Sequence, residues 1–372
     1  MSSATLPAAK RQLEWLDYAR FAAAMAVVCY HYLAQGPRDG KTGVHTDFGL
    51  ASSVADYGYL GVELFFIISG FVVLYSALGR TADRFAVSRA VRLWPTFVVC
   101  MTLSALVMNL FGGPDAHVTL IRYLANLTMA PSILGQKAVD GVYWTLLYEI
   151  IFYSAIFVVL LLGQIHRIAA IVAGWTVLLL LQRMVGLIWP AVPTLPLLGD
   201  WFDLFAAGAL LAVVRRDGWR AWSVIAMLVL VALSAQGAWT RAAVMAVEHT
   251  LQPAIAAAIV VACFLPFLLI RGDGPRLPLA GYLGRLTYPL YLVHARVGFA
   301  LLAMLTINSW LAVAVTTAVV IALASLVYLG FEETTQGPRN RWMNATLGAA
   351  IRWAMSLMSG GKGRPRASAG GD

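Results

Sequence analysis

WLDYARFAAAMAVVCYHYL, residues 15–33, is apolar over a length that crosses a bilayer, yet it carries Asp17, Arg20 and His31. A helix needs about 20 predominantly apolar residues to span the hydrocarbon core. Ionisable groups at that depth are costly and normally face a protein interior or a water-filled cavity. Arg20 and His31 are eleven residues apart, so on an α-helix they lie within about 20° of one face and about 16 Å apart along the axis. The first span therefore carries a cation at one depth and an imidazole about three turns deeper. The alternative is that Arg20 snorkels to a headgroup and His31 is a packing residue.

The composition of the whole chain agrees with this reading. Of the 372 residues 60% are hydrophobic and 12% charged, a balance foreign to soluble domains of this length. The net charge of +9 does not argue for nucleic acid, because no basic block with interleaved aromatics occurs and in a membrane protein the placement of cations matters more than their sum. Cys29, Cys100 and Cys263 lie in apolar runs without CxxC or Cys/His spacing, so neither a disulfide framework nor a metal site is expected. Lys10 and Arg11 precede the first apolar run as in a signal peptide. That run is too long and lacks a small-residue cleavage site, so it is expected to remain as the first span.

Windows apolar enough to span fall at 15–34, 58–79, 93–112, 142–163, 168–189, 201–214, 219–236, 250–270, 281–304 and 309–331. They predict an all-α, polytopic helical membrane protein of about ten transmembrane helices, the window at 201–214 being the weakest. With ten crossings, most of the 27 Lys and Arg residues collect on the side that holds both termini. The positive-inside rule makes that side the cytoplasm. The expected domain runs from 13 to 333. The basic tail, 334–372, is expected to be cytoplasmic and, at its Gly/Ser-rich end, disordered. No fixed-period repeat and no appended soluble domain are seen.

This topology sorts the remaining polar residues into two tiers. YLGVELFFIISGFVVLY (59–75) places Glu63 near the outer end of the second span and Ser69 one to two turns deeper. Near a helix N-terminus, Glu63 could also simply complement the dipole. VYWTLLYEIIFYSAIF (142–157) carries Glu149 well inside an apolar helix, where a carboxylate must be protonated or partnered. GRLTYPLYLVHARVG (284–298) carries His294 and Arg296 beyond a potential kink at Pro289, and a single histidine there is as readily structural as catalytic. His31, Glu63, Glu149 and His294 share the outer half, and imidazole with carboxylate is the pairing of general-base chemistry. At the inner end Arg20, Arg89, Arg92 and Arg285 lie at comparable depth. Clustered arginines suit phosphate recognition, although each also satisfies the positive-inside rule without a ligand. Together the tiers suggest a phosphate-bearing donor from the cytoplasm and chemistry nearer the outer face.

These residues resemble the acyltransferase-3 family of integral-membrane O-acyltransferases. LDYARFAAAMAVVCYH is similar to its opening motif, an arginine and a histidine with ten residues between them, carried by Arg20 and His31. GVELFFIISGFVV resembles its second-span motif at Glu63, and RAVRLWP its basic segment before the third span. YWTLLYEIIFY resembles its Trp-Ser-Leu-x-x-Glu motif through Trp144 and Glu149, with Thr145 for Ser. LGRLTYPLYLVH resembles its Leu-Gly-x-x-Ser-Tyr-x-x-Tyr-Leu-x-His motif at Gly284, Tyr288, Tyr291 and His294, with Thr287 for Ser. Arg296 departs from members with an apolar residue at that place.

The resemblance implies an inner-membrane, multi-pass enzyme that transfers acetyl from acetyl-CoA to a hydroxyl of a cell-surface or exported carbohydrate, without a metal and without a nucleic-acid partner. It implies His31 as general base or transient acyl carrier and Glu149 as the group that orients or charge-balances it. Arg20, Arg89, Arg92 and Arg285 would hold the donor, with Glu63, Ser69, Trp144, Tyr288 and His294 supporting the acceptor side. A transporter using the buried His and Glu as a proton relay is the rival, although the paired broken helices of related halves are not seen. A binding scaffold without catalysis leaves Arg20, His31 and Glu149 without a purpose.

Overall fold

The computed structural model describes residues 13–42, 48–111, 117–246, 251–270 and 272–358. Among them there are helices and no strands. The apolar windows become α1 (Glu14–Cys29), α2 (Gly61–Ala77), α3 (Ala82–Phe111), α4 (Trp144–Leu161), α5 (Ile168–Ile188), α6 (Phe202–Asp217), α7 (Ala221–Met245), α8 (Pro253–Leu269), α9 (Ala280–Met304) and α10 (Ser309–Val327). Seven candidate spans, built on α2, α3, α4, α5, α7, α9 and α10, are long and apolar enough to cross a membrane. The chain is an all-α polytopic membrane protein. The expected count of ten goes beyond this, because α1, α6 and α8 have only 16, 16 and 17 residues of α-helix.

Two regions read as connections carry more structure than expected. Arg241, beyond the end of the window expected at 219–236, lies on α7, which runs through to Met245. A π-helical turn, Tyr328–Glu333, carries the chain from α10 into α11 (Thr334–Met343), and a second, Asn344–Gly348, leads into α12 (Ala349–Met358). The tail is thus helical to Met358, and the end expected to be disordered, 359–372, lies outside the described residues.

The span that includes α2 forms the centre, with 67% of its apolar window inside the protein against 22% for the span that includes α5. Lipid is as apolar as leucine, so helices in a bilayer associate through close packing, and small residues let their backbones approach. Gly70 of α2 faces Gly208 of α6. A Cβ at Gly70 would strike the Phe205 carbonyl oxygen, and one at Gly208 the Ile67 carbonyl oxygen. Around this crossing Phe66, Phe152 and Phe205 form a fully buried aromatic core.

Helix α1 is set against its neighbours in the same way. Gly58 and Gly61, at the approach to α2, abut the carbonyls of Ala26 and Ala23, and on α9 Gly284 abuts Asp17 and Gly298 abuts the Tyr32 ring. Glycine along both seams of α1 fixes its depth between α2 and α9, which positions His31.

Replacing Gly70 or Gly208 by Ala should cost about 1–3 kcal/mol, the range for overpacking a filled core. A Cβ at Gly174 or Gly186 of α5 meets nothing within 4 Å, and alanine there should be neutral. Thermal denaturation in detergent, followed by size-exclusion chromatography, measures the difference.

Candidate active site

His31 begins where α1 loosens. Tyr30–Gln35 is a π-helical turn, in which the Gly36 amide reaches back five residues to the His31 carbonyl. Such turns are rare and occur frequently at functional sites. A Cβ at Gly36 would crowd that same carbonyl and the Phe299 ring, so the tight return depends on glycine.

The imidazole of His31 is held by two contacts. Its Nδ1 lies 2.8 Å from the Val27 carbonyl oxygen and 3.2 Å from Nε2 of His294. A carbonyl only accepts, so Nδ1 of neutral His31 carries the proton and the lone pair is on Nε2. His294, fully buried, obeys the same rule: its Nδ1 is 2.8 Å from the Tyr291 carbonyl, so its Nε2 is the acceptor that faces His31. Tyr32, next to His31, donates from its hydroxyl to the His294 carbonyl at 2.6 Å. The two rings are 4.9 Å apart, edge to face.

Segment 140–145, leading into α4, fixes the same stretch of α9. The Asp140 carboxylate, 1% exposed, accepts the Arg296 amide at 2.9 Å and the Val142 amide at 3.2 Å. Burial raises its pKa, against the lowering effect of these backbone donors. The Tyr143 hydroxyl donates to the Leu292 carbonyl at 3.2 Å, the group four residues before Arg296. Tyr291 donates to the Val142 carbonyl at 3.2 Å.

The carboxylates are elsewhere, which corrects the expected pairing. Glu149 accepts hydrogen bonds from Ser69 at 3.2 Å and from the Tyr153 hydroxyl. It lines a narrow passage of about 100 Å³ together with Arg20, Arg89 and Arg92. The partner holding His31 is therefore a second imidazole, and Glu149 belongs with the arginines. Glu63, with no exposed surface, forms an ion pair with Arg241 at 2.7 Å. It stands in the first turn of α2, where it complements the helix dipole, and its charge is also balanced across helices by Arg241.

Three cavities adjoin along this line. An arginine-lined cavity of about 750 Å³ brings together Arg20, Arg89, Arg92 and Arg285, the four grouped by sequence, with Arg80, Arg84 and Arg339. Arg20 is also ion-paired with Asp17 at 3.3 Å, and Arg285 donates to the Tyr328 hydroxyl at 3.1 Å. The Nε–H groups of Arg89 and Arg339 are buried and donate to no partner among the described residues. Arg20, Arg89, Arg92 and Tyr288 continue into the narrow passage, where Tyr288 is tied to the Leu93 carbonyl at 3.1 Å. Val62 and Tyr291 are shared between that passage and a third cavity of about 330 Å³, which His31 lines.

The histidine cavity has an aromatic wall. Trp144 and Trp201 lie 5.1 Å apart, and the Arg241 guanidinium sits 3.9 Å over the Trp201 ring. Trp201 has a φ of 75°, left-handed backbone that a bulky residue adopts only when its surroundings impose it. Trp201, Arg241, Asp140 and Tyr32 were not singled out from the sequence. Nothing local marks Trp201 or Asp140, and Arg241 was hidden by ending the seventh span too early.

A helical membrane protein with adjoining cavities between an arginine cluster and an imidazole pair is the class that fold and site define. The chain matches the family model described as an acyltransferase domain over residues 13–329, and it belongs to the acyltransferase-3 family. No curated protein and no solved structure matches it.

Arg241→Met leaves the buried Glu63 charge without its partner and should destabilise the protein by about 3–5 kcal/mol. Adding Glu63→Gln should recover much of that loss. Melting temperatures of the single and double variants check both.

Proposed function

We propose that the protein is an acyl-CoA-dependent O-acyltransferase of the inner membrane that moves acetyl from acetyl-CoA to a hydroxyl of a surface or exported carbohydrate. The observation that carries this is the run of three cavities, with arginines lining one end and His31 the other. The arginine cavity fits a phosphate-rich donor in volume and charge, and the buried, unpartnered Nε–H groups of Arg89 and Arg339 fit acceptors that a phosphate would bring. Acetyl-CoA supplies the activated thioester. The passage lined by Glu149 and Tyr153 suits a slender pantetheine arm, and the eleven-residue rise from Arg20 to His31, about 16 Å of helix, suits its reach.

In this reading His31 Nε2 takes the proton of the sugar hydroxyl as its oxygen bonds to the thioester carbonyl carbon. The carbon–sulfur bond breaks and the imidazolium returns the proton to the departing thiolate. The Val27 carbonyl and His294 Nε2 keep the Nδ1 proton in place, so Nε2 is the site that cycles. The excess of Lys and Arg on one side supports cytoplasmic termini, which opens the arginine cavity to cytoplasmic acetyl-CoA.

His31→Gln keeps a hydrogen-bonding group but has no titrating nitrogen, so it should lower acetyl transfer by about 10²–10⁴-fold, the span of general-base contributions. His294→Gln should lose less, because an amide still offers an acceptor to Nδ1–H. Transfer from radiolabelled acetyl-CoA to envelope glycans measures both, and near-normal transfer by a folded His31→Gln enzyme rules out the base.

Arg92→Ala should weaken CoA binding in a calorimetric titration, with a loss that shrinks as ionic strength rises because screening already weakens the contact. Unchanged affinity would remove Arg92 from the donor site.

A further inference from the structure

The arginine cavity has a second wall of different chemistry, and it comes from the tail. Gln336 and Asn340 on α11 and Asn344 just beyond it line the cavity, four residues apart and therefore on one helix face. The segment is tied down at both ends. At its start the Thr96 hydroxyl of α3 donates to the Glu332 carboxylate. At its end Met343 is buried against Val87 and Val91 of α3, and Arg352 pairs with Asp83 at 3.1 Å. A π-helical turn stands on either side of α11, Tyr328–Glu333 and Asn344–Gly348, a departure from α-helix that is frequent at functional sites.

The two walls differ in charge, and the difference sorts the parts of a donor. The α1, α3 and α9 wall offers the guanidinium groups of Arg20, Arg89, Arg92 and Arg285. The tail wall offers amides, the Glu332 and Glu333 carboxylates and one guanidinium, that of Arg339, which already donates to the Glu332 carbonyl at 2.6 Å and lies 5.2 Å over the Phe331 ring. Like charges placed together are costly, so phosphates belong on the first wall and an uncharged, hydrogen-bonding part of the donor on the second. Asn344 commits its amide to the Asn340 carbonyl at 2.7 Å. The side-chain amides of Gln336 and Asn340 make no hydrogen bond among the described residues, and each presents donors and an acceptor to the cavity. Such an amide pairs with adenine through two bonds, donating to N7 and accepting from the exocyclic amine. The cavity, about 750 Å³, is within the size of small-ligand pockets and leaves room beyond the single phosphate of a pantetheine arm.

We infer that the tail wall is the base-reading half of the donor site: with the donor phosphates on the arginines, the Gln336 and Asn340 amides hold the adenine by its amino group and ring nitrogen. The enzyme then takes its acyl group from a free nucleotide coenzyme and discriminates against a phosphopantetheine arm without a base, which reaches only one of the two walls. This rests on the acyltransferase reading and adds the segment of the chain that recognises the nucleotide.

The test uses purified full-length protein and calorimetric titration with three probes: CoA, its deaminated analogue with hypoxanthine in place of adenine, and 4′-phosphopantetheine. Wild-type protein should prefer CoA to the deaminated analogue about 5- to 100-fold, as two neutral hydrogen bonds do. The double variant Gln336→Ala/Asn340→Ala should lose that preference, and each single variant part of it. Affinity for 4′-phosphopantetheine should be the same in all four proteins, which shows that the variants are folded. Equal affinity of the wild type for CoA and the deaminated analogue, or a preference that persists in the double variant, overturns the base-reading wall and leaves the arginine site and the transferase standing. Absence of CoA binding by folded wild-type protein overturns both.

Discussion

A polar side chain inside a lipid-embedded bundle has no water to fall back on, so its partners must come from the protein, from its own helix or across a helix seam. The contact that most depends on this is the one between His31 on the loosened end of α1 and His294 on α9. It exists because the two helices approach closely enough for the Tyr32 hydroxyl to reach the His294 carbonyl, and they do so because Gly298 leaves room for the Tyr32 ring. A side chain at Gly298 would separate α1 from α9 at the depth where the imidazoles meet. Gly284 performs the same service for Asp17 at the other end of the seam, so the ion pair that steadies Arg20 and the imidazole pair are set by one packing arrangement.

The same constraint explains why the two carboxylates lie apart from the histidines. Glu63 enters at the first turn of α2, completely buried, and is balanced by a guanidinium from α7 that also covers Trp201. This ties the depth of α2, at the centre of the bundle, to the wall of the histidine cavity. Glu149 is held by Ser69 and Tyr153 beside three arginines, an arrangement that keeps a dense positive cluster from being wholly unbalanced along the passage. Both carboxylates therefore shape cavities through their cationic neighbours.

Much of this was legible in the sequence, for definable reasons. Apolar length gave the helices, and an arginine and a histidine on one helix face gave the two ends of the site, because α-helical periodicity holds until the π turn begins at Tyr30. The grouping of Arg20, Arg89, Arg92 and Arg285 followed from depth alone, and all four line one cavity. Depth did not say which polar groups touch. His31, Glu63, Glu149 and His294 share a half of the membrane in any such reading, yet only the two histidines meet. Their pairing depends on rotation about each helix axis, which the close approaches of Gly284 to Asp17 and of Gly298 to Tyr32 decide. Asp140 and Trp201 were beyond reach for another reason: a loop carboxylate that receives a backbone amide from another helix, and a tryptophan in left-handed backbone, leave no periodic trace.

An imidazole in place of a carboxylate behind the proposed base has a chemical consequence. A carboxylate stabilises an imidazolium with a full charge, whereas a neutral imidazole offers only a lone pair and a dipole. Protonated His31 would thus be less stabilised here than in a carboxylate-backed site and would give up its proton readily. In the proposed transfer that suits the second half of the reaction, where the thiolate leaving group must be protonated for the site to reset. Both Nδ1 protons are committed to backbone carbonyls, so neither ring needs to change tautomer between the two halves. The proton is then taken up and returned at one atom, Nε2 of His31, a residue that lines the cavity where the acceptor would sit.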